Sequence, residues 1–90
     1  MGAALEGELT FAQMPALLPR VEALSATQAL SLRGVTRTDS AGLAFLLELT
    51  RRARTRGIKL SIRDAPLQVI DLARFFGLDS VLRFDNNAAP

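Results

Sequence analysis

The run from Ala29 to Ile62 restricts this chain most, because strand, helix and strand periodicities follow one another there without a linker. Ala29-Leu30-Ser31-Leu32-Arg33 reads as a short strand, and Gly34 to Thr38 reads as a loop. A helix is predicted from about Ser40 to Arg54, with Asp39 or Ser40 placed to cap its free N–H groups. Arg51, Arg52, Arg54 and Arg56 crowd its far end, where the negative pole of the helix dipole favours cations, and Gly57 stops it. Ile58, Leu60 and Ile62 then alternate with Lys59 and Ser61, the period of a strand with one face more buried than the other. Strands alternating with helices point to an α/β domain whose parallel strands are joined by helices.

The flanks extend the same pattern. Residues 3–9 carry a weak strand signal. Met14, Leu17, Leu18, Val21 and Leu24 are spaced for one helical face between Phe11 and Leu24. Pro15 suits a first turn, but Pro19 removes an internal hydrogen bond, so this segment is expected to kink or to start late. Asp64-Ala65-Pro66 has the order of a helix start, and the helix should run to Phe76 and end at Gly77. Val81-Leu82-Arg83-Phe84 is a candidate final edge strand, and Asn86 to Pro90 a disordered tail. With 90 residues the chain is expected to form one domain, residues 1–90, with a modest core that gains from a partner.

Several kinds of chemistry lack their residues. There is no His and no Cys, which removes the usual base of a nucleophilic triad and the usual zinc ligands. No glycine-rich phosphate loop is present, and the nine acids are scattered among eleven basic groups like a solvated surface. The expectation is a non-enzyme without cofactor or metal. A net charge of +2, and a basic run without interleaved aromatics, give no support to nucleic-acid binding. No stretch approaches the length of a membrane span and the N-terminus does not read as a signal peptide, so the expected setting is cytoplasmic.

One segment is dense in information: Thr38-Asp39-Ser40-Ala41-Gly42-Leu43-Ala44-Phe45-Leu46-Leu47. It sets an acid, a hydroxyl and two small residues at the mouth of an apolar helix, where another surface can approach closely. On a helical wheel Leu43, Leu46, Leu47 and Thr50 form the core stripe, while Phe45 and Leu49 lie round from it beside Gly42 and Ala53. This arc is wider than packing on one sheet requires. The excess is either covered by a neighbouring helix or exposed to a partner.

The chain resembles the STAS family, named after sulfate transporters and anti-sigma factor antagonists. The likeness runs from Gly7-Glu8-Leu9 through Leu30-Ser31-Leu32, Gly34-Val35 and the Asp39-Ser40-Ala41-Gly42-Leu43 turn. It continues over Gly57 and Lys59-Leu60-Ser61-Ile62 to Ala73-Arg74-Phe75-Phe76-Gly77-Leu78. The resemblance implies a mixed sheet of four or five strands with helices mainly on one side. Anti-sigma factor antagonists carry a phosphorylated Ser immediately before the motif's Gly; that position is Ala41 here, which has no hydroxyl to receive a phosphate. The turn is closer to the MlaB-like branch, small subunits of Mla-type phospholipid-transport ABC complexes, whose pattern is Asp-Thr-Gly-Gly-Leu. Two departures remain: the segment before Gly7-Glu8-Leu9 is short, which opens the sheet edge to pairing with a second copy, and Ser31 stands where the family's strand usually carries Asp.

That branch implies a cytoplasmic protein held at the inner membrane by the transporter, without inserting into the membrane. It would regulate or stabilise the transporter's ATPase in the service of outer-membrane lipid asymmetry. The alternative is a partner-switching protein like the anti-sigma factor antagonists but without their phosphoserine. The expected contact residues are Asp39, Ser40, Ala41, Gly42, Phe45 and Leu49, with Ser40 supplying a hydrogen bond, Ala41 and Gly42 the clearance, and Phe45 and Leu49 the apolar contact.

Overall fold

The computed structural model describes residues 2–85, so the expectation for the tail at 86–90 lies outside the described residues. Strand β1 spans Gly2–Leu9 and is followed by a broken helical segment. Its pieces are a 3-10 turn at Phe11–Gln13, α1 at Met14–Leu17, a second 3-10 turn at Leu18–Arg20 and α2 at Val21–Ser25. The breaks fall where the prolines demand them: Pro15 lies in the first turn of α1 and Pro19 at the start of the second 3-10 turn. Then come β2 (Ala29–Thr38), α3 (Ser40–Thr55), β3 (Ser61–Arg63) and α4 (Leu67–Phe75).

Among the described residues the sheet has three strands in the order β1-β2-β3, and both pairings are parallel. This corrects the expected four or five strands in a mixed sheet. Val81 to Phe84 does not form the predicted edge strand; the described contact is a single bridge between Phe84 and Ile62. Ile58 to Leu60 is not strand either. Ile58 N donates to Ala53 O to close α3, Lys59 O accepts from the Arg83 guanidinium, and pairing with the β2 side begins only where Ser61 N reaches Gln28 O.

β2 corrects the sequence in the other direction, since Gly34 to Thr38 is strand and not loop. Between the pairs Ala4–Ser31 and Glu6–Gly34, β1 advances two residues while β2 advances three; the pairs Gly7–Val35 and Glu8–Arg37 show the same excess. Each extra residue in β2 is a bulge, and each breaks the period of two that identifies a strand. Gly7, at φ 81°, supplies a left-handed backbone beside the second bulge.

Leu5 and Leu9 of β1, Leu30, Leu32 and Val35 of β2 and Ile62 of β3 are buried, whereas Glu6, Glu8, Arg33, Arg37 and Arg63 are exposed. One face of the sheet therefore carries the core and the helices, and the other is open and polar. β1 forms one edge of this sheet. Asp64 does not cap the last helix as its sequence position implied. Pro66 is the N-cap of α4 without a side-chain bond, and Asp64, at φ 56°, accepts from Ser31 Oγ at 3.1 Å on the open face.

Candidate functional site

Four features fasten the start of α3. Asp39 is its N-cap: Oδ1 accepts from Gly42 N at 3.1 Å, and Oδ2 accepts from Phe11 N at 3.1 Å, across the gap from the end of β1. The Phe11 N–H is the foremost reason that the Asp39 carboxyl is held below its ordinary range; Gly42, Ala41 and Arg37 act in the same direction against partial desolvation. The Thr38 hydroxyl, itself buried, donates to Leu9 O at 3.0 Å. From α4, the Gln68 side-chain oxygen accepts from Thr38 N at 3.3 Å.

Gly42 completes the fastening. A Cβ there would lie 2.0 Å from Leu9 O and 2.5 Å from Thr38 Oγ1, so the first turn of α3 packs onto the end of β1 at a distance only glycine permits. Asp39 and Gly42 were expected at a partner contact. Their bonds and packing serve the domain itself, and the clearance at Gly42 is filled by Leu9.

Phe45 and Leu49 are corrected as well. They are 3% and 0% exposed and belong to the main core together with Leu17 and Leu24, on the helical segment that precedes β2. α2 packs against α3, and this covers the wide apolar arc; Phe45 and Leu49 cannot reach a partner.

Ser40 is exposed, Ala41 half-buried, Ala44 exposed and Leu47 half-buried. Ser40, Ala44 and Leu47 share one helical face by their spacing. With Leu43, Phe76 and Leu78 they line a shallow, almost wholly apolar groove of about 300 Å³ between α3 and the end of α4. Phe76 is 51% exposed and Phe75 80%, and their rings meet edge to face with centroids 5.1 Å apart. Phe11, whose N–H holds Asp39, is 75% exposed. Three of the five phenylalanines thus sit in water, an arrangement that core packing does not explain.

Sequence reasoning placed Ser40 at this face but missed Ala44, Leu47, Phe75, Phe76 and Phe11 as surface. Part of the signal was present. Two adjacent aromatics before a helix-ending glycine cannot both face the core, because neighbouring positions on a helix diverge by about 100°.

Among the described residues, no group of three His, Cys, Asp or Glu side chains comes together as metal ligands, and no helix is long and apolar enough to cross a membrane. The arrangement offers a hydroxyl and small residues at a fastened helix start, with aromatic rings beside them at the end of α4, which is the equipment of a contact surface. No curated protein matches the chain. A family model described as "Mlab, STAS domain" matches residues 3–83.

Proposed function

We propose that this chain, which belongs to the STAS domain family, works without chemistry of its own as a docking subunit on the ATPase of an Mla-type phospholipid-transport ABC complex. The observation that carries this reading is the uncharged face of exposed Ser40 and Ala44 and half-buried Leu47, joined to the Phe76 groove at the fastened start of α3. The MlaB-type description of the matching family model supports the choice of partner.

The mechanism is differential binding. A rigid surface that fits one conformation of the ATPase better than another shifts the population toward it, by no more than the difference in affinity between the two. Phe76 and Leu47 supply the apolar contact area. Ser40 supplies a hydrogen bond where Ala44 lets the partner backbone approach. Asp39 and Gly42 hold the helix start in place, which lowers the ordering cost of binding. Regulation and stabilisation of the ATPase are two consequences of the same contact.

The test is co-purification with the transporter ATPase, comparing wild type with Ser40→Arg and Phe76→Asp. Wild type should co-purify and change ATP turnover, and neither variant should do so while each keeps its own fold. A wild-type chain that ignores the ATPase but is retained by an anti-sigma kinase would move the protein to the partner-switching class.

A further inference from the structure

The positive charges of this chain are not spread evenly between paired and unpaired sites. Arg33, Arg37, Arg51, Arg52, Arg56 and Arg63 each face a carboxylate. Arg20, Arg54, Lys59, Arg74 and Arg83 face none among the described residues, and three of these five, Arg54, Lys59 and Arg83, line one groove of about 580 Å³. The groove lies between the last turns of α3, the Ile58–Leu60 segment and the Ser80–Arg83 turn, at the opposite end of α3 from Ser40. At 1.5 Å per residue the two ends are about 20 Å apart.

Ile58, Leu60 and Val81 contribute apolar surface to this groove, and no carboxylate lines it. Ser80 adds an exposed hydroxyl that makes no hydrogen bond among the described residues. The Arg83 guanidinium is oriented by a bond from Nη1 to Lys59 O at 3.3 Å, which ties the two cationic segments together. Asp85 lines the adjoining hollow, where it is engaged by Arg63 at 3.9 Å and by Ser61 Oγ at 3.4 Å. The carbonyls at the end of α3 do not oppose an anion here, since Ala53 O and Arg54 O already accept from Arg56, Gly57 and Ile58 N–H groups.

We infer that this groove binds an anion that carries a phosphoryl group on an apolar body. Three unpaired cations beside an apolar wall match such a molecule in charge and polarity, and the volume falls in the range of small-ligand sites. The shared chemistry has two sources, the headgroup of an anionic phospholipid and a free phosphate ester. The site does not depend on the docking face of α3, so a failure of either reading leaves the other standing.

The probes are n-hexyl phosphate followed by backbone-amide NMR, and co-sedimentation with phosphatidylcholine vesicles with and without phosphatidylglycerol. Hexyl phosphate should saturate with shifts centred on Leu60, Ser80 and Val81, and hexanol should not. Lys59→Gln and Arg83→Gln should each weaken binding about ten-fold, the contribution of one charge-assisted contact. Arg51→Gln, whose partner is Glu48, should leave binding unchanged. Sedimentation with phosphatidylglycerol vesicles that is lost in the Lys59 and Arg83 variants supports the site and assigns it to a lipid headgroup; hexyl phosphate binding without sedimentation supports it and assigns it to a soluble ester. No saturable binding of either probe, or binding that Arg51→Gln weakens as much as Lys59→Gln, would overturn the inference.

Discussion

The two ends of α3 are held by different physics. At the start, Asp39, Thr38 and Gly42 lock the backbone to Phe11 and to the end of β1 through hydrogen bonds and a contact with no room for a methyl group. At the end, Arg52 and Arg56 reach Glu22 of α2, and Arg51 and Arg52 reach Glu48, all through long side chains in contact with water. The first kind of anchor is stiff and insensitive to salt; the second is soft and screened. A surface that must present a fixed shape to another protein belongs at the stiff end. A surface that attracts anions gains from the charge concentrated at the other.

The sharpest way to break this contrast is to fill the contact at Gly42. Gly42→Ala should destabilise the domain by about 3 kcal/mol in urea unfolding, more than the helix propensity gained by alanine. A midpoint near wild type would mean that the start of α3 yields and is not stiff. Next in size is the docking face: Phe76→Asp or Leu47→Glu should weaken binding to the ATPase about a hundred-fold, the loss expected of a central apolar contact. Titration calorimetry with the purified ATPase reads this directly. Full-strength binding by both Phe76→Asp and Leu47→Glu would place the contact elsewhere.

Gly57 offers the matched control at the soft end. Its φ is 75°, but a Cβ there would meet open space, so Gly57→Ala should cost only about 1 kcal/mol, the strain of a left-handed residue. Similar losses at Gly42 and Gly57 would erase the distinction between the two ends.

The smallest effect is electrostatic. Hydrogen bonds from Arg51 and then Arg52 hold the Glu48 carboxyl at about 2, down from 4.5, and the Asp39 carboxyl is lowered as well, foremost by Phe11 N–H. Both folded-state values lie below the unfolded ones. Their stabilisation is therefore complete above the unfolded carboxylate range and is lost as pH falls through about 4.5 toward 2. Urea midpoints across that window should decline, with a shallower slope in Glu48→Gln. In high salt the Glu48 part should shrink and the Asp39 part persist, because backbone N–H groups and not mobile ions hold Asp39.

Much of α3 was legible before any coordinates. Its predicted span, Ser40 to Arg54, differs by one residue from the observed Ser40–Thr55, its cap is Asp39, and Gly57 takes the left-handed conformation that ends it. These features depend on neighbours within a few positions. The surface of the same helix was read less well. Phe45 and Leu49 were expected at a partner contact but are in the core, because α2 comes back across the chain to cover them. Phe75 and Phe76, expected only as the end of the last helix, lie in water.

The amino-acid sequence by itself determined the α/β class, the helical break at Pro19, the capped start of α3 and the lack of histidine and cysteine. Each of these is written in adjacent residues, through dihedral limits, capping bonds or plain composition. Only the tertiary structure decided that Gly34 to Thr38 joins the sheet, that Asp64 reaches Ser31, that Gly42 seals the helix to Leu9, and that Ser40 shares a groove with Phe76. Those outcomes pair residues some thirty positions apart. Which of two apolar faces is covered depends on where the rest of the chain returns, and no local periodicity carries that information.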